Sequence, residues 1–203
     1  TDGTAPNSGD ATKTFVDANI QISPPSANNP IGTNHTLTAH VNVNTGSGAF
    51  ASAPDGTVIS FTLANSGGAT AAFVGANSCT TSGGTGSCSV QIKSSTTGTT
   101  TIKATTVVTV GGVALTRSTG DAKAGDTADA TKTWADDTVR TDILNASGTV
   151  VTTVVAGTVV HDKVFVAKAA GTPDSVPAPT GNVIFHRYAT ANCSGTSTDQ
   201  TVA

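Results

Sequence analysis

His35-Thr36-Leu37-Thr38-Ala39-His40-Val41-Asn42-Val43 places His35, Leu37, Ala39, Val41 and Val43 in one phase and Thr36, Thr38, His40 and Asn42 in the other. A period of two over nine residues is the signature of a β-strand with one buried and one wetted face. The pattern repeats outward from there. Ile59, Phe61 and Leu63 alternate with Ser60 and Thr62, Val90 and Ile92 with Ser89 and Gln91, and Ile102, Ala104, Thr106 and Val108 share a further face. Pro24-Pro25, Pro30, Pro54-Asp55-Gly56, Gly67-Gly68 and Gly111-Gly112 punctuate these runs as turn formers. Several one-sided strands require two sheets stacked face to face, so an all-β antiparallel sandwich is expected.

Composition points the same way. The 203 residues contain 13 acidic side chains, all Asp, with no Glu and no Met, and 4 Leu against 22 Val; Thr occupies 39 positions. Glu, Leu and Met favour helices, whereas Val and Thr suit pleated strands, which argues against a helical bundle or a doubly wound enzyme. Charged residues make up 11% and aromatics 4%. That leaves no basic stripe for phosphates and no stacking platform for bases, so no nucleic-acid partner is expected. No apolar run is long enough to span a bilayer, so no membrane insertion is expected within the segment.

A repeat organises the chain. Asp10-Ala11-Thr12-Lys13-Thr14-Phe15-Val16-Asp17 recurs as Asp129-Ala130-Thr131-Lys132-Thr133-Trp134-Ala135-Asp136, six of eight positions identical at an offset of 119 residues. That offset is about the length of one sandwich domain with its loops. The octapeptide is expected to mark a junction between modules, with Phe15 and Trp134 as anchors packing between them. Three segments follow: 1–16 as the terminal strand or linker of a preceding module, or as a donor strand; 17–134 as a complete sandwich; 135–203 as a second, unfinished one. An orphan strand at one end and an unfinished sandwich at the other fit a fragment of a longer array. That is the favoured reading; the second is head-to-tail strand donation between identical subunits.

Eight small residues separate Cys79 from Cys88, the spacing of a hairpin, and a disulfide between them implies an oxidising, extracellular compartment. Two free thiols or half a metal site are the alternatives, the latter disfavoured by the absence of a nearby CxxC or His. Cys193 is either a free thiol or paired beyond residue 203.

Asn77-Ser78-Cys79 through Gly86-Ser87-Cys88-Ser89-Val90-Gln91-Ile92, followed by Thr97-Gly98-Thr99-Thr100-Thr101-Ile102-Lys103-Ala104, resembles the bacterial Ig-like repeats of the invasin and intimin type. Thr180-Gly181-Asn182-Val183-Ile184-Phe185 with Asn192-Cys193-Ser194-Gly195 is similar to a second bacterial Ig-like class. These resemblances imply tandem Ig-like β-sandwich modules of a secreted or cell-surface protein. Their expected role is mechanical and adhesive, as part of a stalk, fibre or filament. The second resemblance implies a partner for Cys193 that lies outside this sequence. Intramolecular Lys–Asn or Lys–Asp crosslinks are open to surface sandwiches of this kind, and among the seven lysines the sequence singles out none.

No catalytic constellation stands out: there is no nucleophile elbow, no isolated carboxylate pair, and His161-Asp162 are strand neighbours whose side chains diverge. The expected partners are neighbouring Ig-like modules or identical subunits. The rival reading is a module that binds a glycan or protein receptor through the loops near 49–54 and 171–179. The one cofactor considered is Ca2+, which Asp121, Asp126, Asp129, Asp136 and Asp137 around the second octapeptide could hold with their oxygens.

Overall fold

The structure, a computed structural model, describes residues 10–190 and 192–202. The described residues form strands, turns and loops without a helix, and none of them makes a helix able to cross a membrane. The chain divides into two compact units, the first ending at Trp134 and the second beginning at Ala135.

The first unit is a two-sheet sandwich. One sheet is built from β1 (Asp17–Ser23), β3 (His35–Asn44), β8 (Ser87–Lys93) and β6 (Ala72–Phe73) in that order, with β4 (Ala51–Ser52) added on β3. The other runs β2 (Ser26–Pro30), β11 (Ala130–Ala135), β9 (Gly98–Val110), β5 (Val58–Ser66) and β7 (Ser78–Thr80), with β10 (Val113–Ser118) on β9. The chain changes sheets at Pro24-Pro25, between β1 and β2.

The alternating side chains meet between the sheets. Ile20, Leu37, Val41 and Ile92 from the first sheet and Ile59, Phe61, Ile102 and Trp134 from the second are fully enclosed. Burying this set is the main favourable term of the fold. β9 is long enough to serve two partners along one edge: Gly98–Ile102 pair with β11, and Thr105–Val110 pair with β10. Its first residue is necessarily glycine. At Gly98 φ is +135°, and a Cβ there would meet the Ala69 nitrogen at 2.5 Å and the Ser66 oxygen at 2.6 Å. The glycine that opens Gly98-Thr99-Thr100-Thr101-Ile102 thus marks a close approach of two backbones.

The second unit has a different character. β12 (Asp137–Asn145) pairs with β13 (Val160–Lys168), and β14 (Val183–Tyr188) pairs with β15 (Ser197–Val202), as two separate two-stranded sheets. Apolar side chains stay in water, among them Val139 (66% exposed) and Ile184 (53%). An isolated two-stranded ribbon is marginal in water, and here the outer edge of β12 gains a bridge between Leu144 and Val150.

Candidate functional site

The disulfide forms, but not across a hairpin within one sheet. Cys79 on β7 and Cys88 on β8 are joined with a Cα–Cα separation of 5.8 Å, and those two strands belong to opposite sheets. The intervening loop crosses the sandwich edge, where the Gly84 N–H donates to Asp55 Oδ1 (2.9 Å) and the Thr81 hydroxyl donates to the Pro54 carbonyl (2.8 Å). Turn-forming residues suit a hairpin and a sheet-to-sheet crossing equally, so spacing alone could not separate the two. The crosslink therefore pins the two layers together. Cys193 is an exposed free thiol.

The two octapeptides meet opposite fates. In the second copy, Ala130 to Trp134 pair with Ile102 to Gly98, and Ala130, Lys132 and Trp134 point inward. The Trp134 indole N–H donates to Thr100 Oγ1 (3.0 Å), whose hydroxyl donates to Asn65 Oδ1 (2.8 Å). Trp134 is therefore a core residue of the first unit, its one polar atom satisfied there, rather than an anchor packing between modules. In the first copy, residues 10–16 belong to no strand and Phe15 is 80% exposed. The equivalent aromatic positions thus differ completely, Phe15 outside the core and Trp134 within it. Residues 1–9 of the N-terminal segment lie outside the described residues.

The five aspartates proposed for calcium do not converge. Asp129 accepts from Lys103 Nζ (3.1 Å) and the Thr119 hydroxyl (2.6 Å). Asp136 accepts from the Asp137 N–H (2.9 Å), and Asp137 itself is exposed. Asp121 and Asp126 do meet. The Lys123 N–H and its ammonium hold the Asp121 carboxyl down to about 2. Burial, reinforced by the neighbouring Asp121 charge, pushes Asp126 up, although its Oδ1 accepts from the Ile20 N–H (2.6 Å). Asp126 Oδ2 is buried with no donor facing it; protonated, it can itself donate to Asp121. Among the described residues no group of three or more His, Cys or Asp side chains is placed to hold a metal. The loop near 49–54 includes β4, paired to β3, and in the 171–179 loop the Thr172 hydroxyl donates to the Asp136 carbonyl (2.9 Å).

Two features escaped the sequence. One is Lys132, 1% exposed, with its amine against the Asn29 side chain and 5.3 Å from the Trp134 ring centre. The signal was present: Lys132 lies in phase with Ala130 and Trp134, so the inward face of β11 has to carry it. The other is a groove of about 460 Å³ within the second unit, between its two strand pairs. Ile143, Val160, Phe185 and Val202 line it, with Asp162 and Arg187 among its polar groups.

No protein-family model matches the chain, and no curated protein does. Among solved structures the chain is similar to the crystal structure of BcpA, the major pilin subunit of Bacillus cereus, at 12% identity and a TM-score of 0.32. The alignment covers 93% of this chain and 67% of the pilin. A point variant of the same pilin matches at 11% identity with the same TM-score and coverage. Superposition at that score is too loose to equate the two topologies.

Proposed function

We propose that the chain is a structural module of an extracellular fibre or stalk, in which the octapeptide strand links one sandwich to the next. The observation that carries this reading is the double life of the octapeptide, sheet-bound as β11 and exposed over residues 10–15. A strand-forming sequence left outside its own sheet is suited to complete another. The acceptor is the second unit of a neighbouring copy, whose groove between two open-edged strand pairs offers backbone partners and an apolar floor for Phe15. Asp162 on that groove complements Lys13. Such a contact joins two different surfaces, so it propagates head to tail instead of closing on itself. The disulfide suits the oxidising exterior where a fibre of this kind works.

The test is assembly. Full-length chain imaged by negative stain over a concentration series should show linear head-to-tail species. Deleting residues 1–16 should abolish them while the first unit stays folded. Monomers at every concentration, or assembly that survives the deletion, would contradict the proposal.

A further inference from the structure

Among the described residues, Lys132 is the one ionisable side chain enclosed to this depth in the core. A lysine normally extends its ammonium into water, since a buried charge without a counter-charge is costly. Here no carboxylate forms an ion pair with it among the described residues. Burial alone pushes its amine down to about 8, so about a tenth of the molecules carry it neutral and nucleophilic at pH 7. What the amine touches is the carboxamide of Asn29 on β2.

We propose that Lys132 and Asn29 join in an intramolecular isopeptide bond, from Lys132 Nζ to Asn29 Cγ, that ties β11 to β2. The neutral amine attacks Cγ, the bond from Cγ to Nδ2 breaks, and a proton passes from Nζ to the departing nitrogen. One secondary amide and one molecule of ammonia result, with no oxidant or cofactor consumed. Three features favour the step. β2 and β11 are adjacent strands, and the Thr131 N–H donates to the Pro25 carbonyl (2.9 Å), so the reacting groups are held together rather than meeting by diffusion. Asn29 is followed by Pro30, which has no backbone N–H, so the usual attack of the next residue's nitrogen on the Asn side chain is closed and the amide is kept for the lysine. His35 is the titratable group near enough to feel the Lys132 charge. Burial first, and that charge second, lower its pKa, so His35 sets no second positive charge beside the amine at neutral pH.

The partners are 103 residues apart in sequence. One lies just after the strand by which the chain enters the sandwich, the other on the strand by which it leaves. Tension applied to the two ends of the first unit would pass through β1 and this bond, leaving residues 30–131 outside the load path. The inference does not depend on strand exchange, and failure of either leaves the other standing.

The intact mass of the full chain, reduced and denatured, decides it. The expected mass is below that of the sequence by one molecule of ammonia, with a protease digest in which the peptides carrying Asn29 and Lys132 stay joined. Asn29→Ala should carry its full sequence mass and migrate more slowly on a denaturing gel. Full sequence mass and separate peptides in the wild-type chain, after refolding and long incubation at mildly alkaline pH, would overturn the proposal without reference to any variant.

Discussion

Residues 10–16 and 129–135 carry nearly one sequence, yet one stretch lies outside any strand, exposed as far as Phe15, and the other is an inner strand of a sheet. Local propensity therefore cannot be what makes β11 a strand. The second copy has β9 on one edge, β2 on the other and a core pocket shaped for its aromatic ring. The first copy passes beside Gly46 and joins no sheet. β-propensity is mostly a statement about fit to neighbours, and these two segments separate the neighbours from the sequence.

The widest gap between the copies should appear on removing the aromatic. Trp134→Ala is expected to cost the first unit about 3–5 kcal/mol in urea unfolding, because it empties a core site and leaves the Thr100 hydroxyl without its indole donor. Phe15→Ala should change the same measurement by less than about 0.5 kcal/mol. Equal losses would erase the distinction.

Next in size is the sheet-to-sheet disulfide. Replacing Cys79 and Cys88 together by Ala should lower the stability of the first unit by about 2–3 kcal/mol, read as a shift of its denaturation midpoint. Cys193→Ser should leave that midpoint alone, since the thiol is exposed.

Smaller effects come from the carboxylates where the first copy runs into β1. Arg117, bonded to Asp17, lowers that carboxyl below its ordinary value, and Asp121 is held down to about 2. A depressed acid stabilises the fold above its unfolded pKa and loses that contribution as the pH falls through its folded pKa. The first unit should therefore weaken between about pH 4 and pH 2. Asp17→Asn should remove part of the slope, by less than about 1 kcal/mol since the pair is partly solvated. Asp126 has the opposite sign. Its raised pKa means that ionisation at neutral pH opposes folding, so Asp126→Asn should stabilise slightly at pH 7 and have no such benefit in acid. Thermal melts across pH check both signs.

Much of this molecule was legible in its sequence. The period-two runs around Leu37, Phe61, Val90 and Ile102 locate strands that do form and give their buried faces. The cysteine pair was legible as a bond, but not as a bond between sheets, because nothing in the loop composition says which layer each flanking strand joins. Trp134 read as a junction residue because its position in the repeat was visible and its pocket was not. Lys132 was harder still. Its inward phase can be read from Ala130 and Trp134, but its reactive neighbour lies 103 residues away, and only the pairing of β2 with β11 brings Asn29 to it.

The most direct test of the central claim, that the exposed octapeptide is a strand awaiting another sheet, is amide hydrogen exchange over a concentration series. The account predicts that protection at Thr12 to Phe15 rises with concentration toward that of Thr131 to Trp134. Amides at 12–15 that exchange freely at every concentration, while 131–134 stay protected, would contradict it.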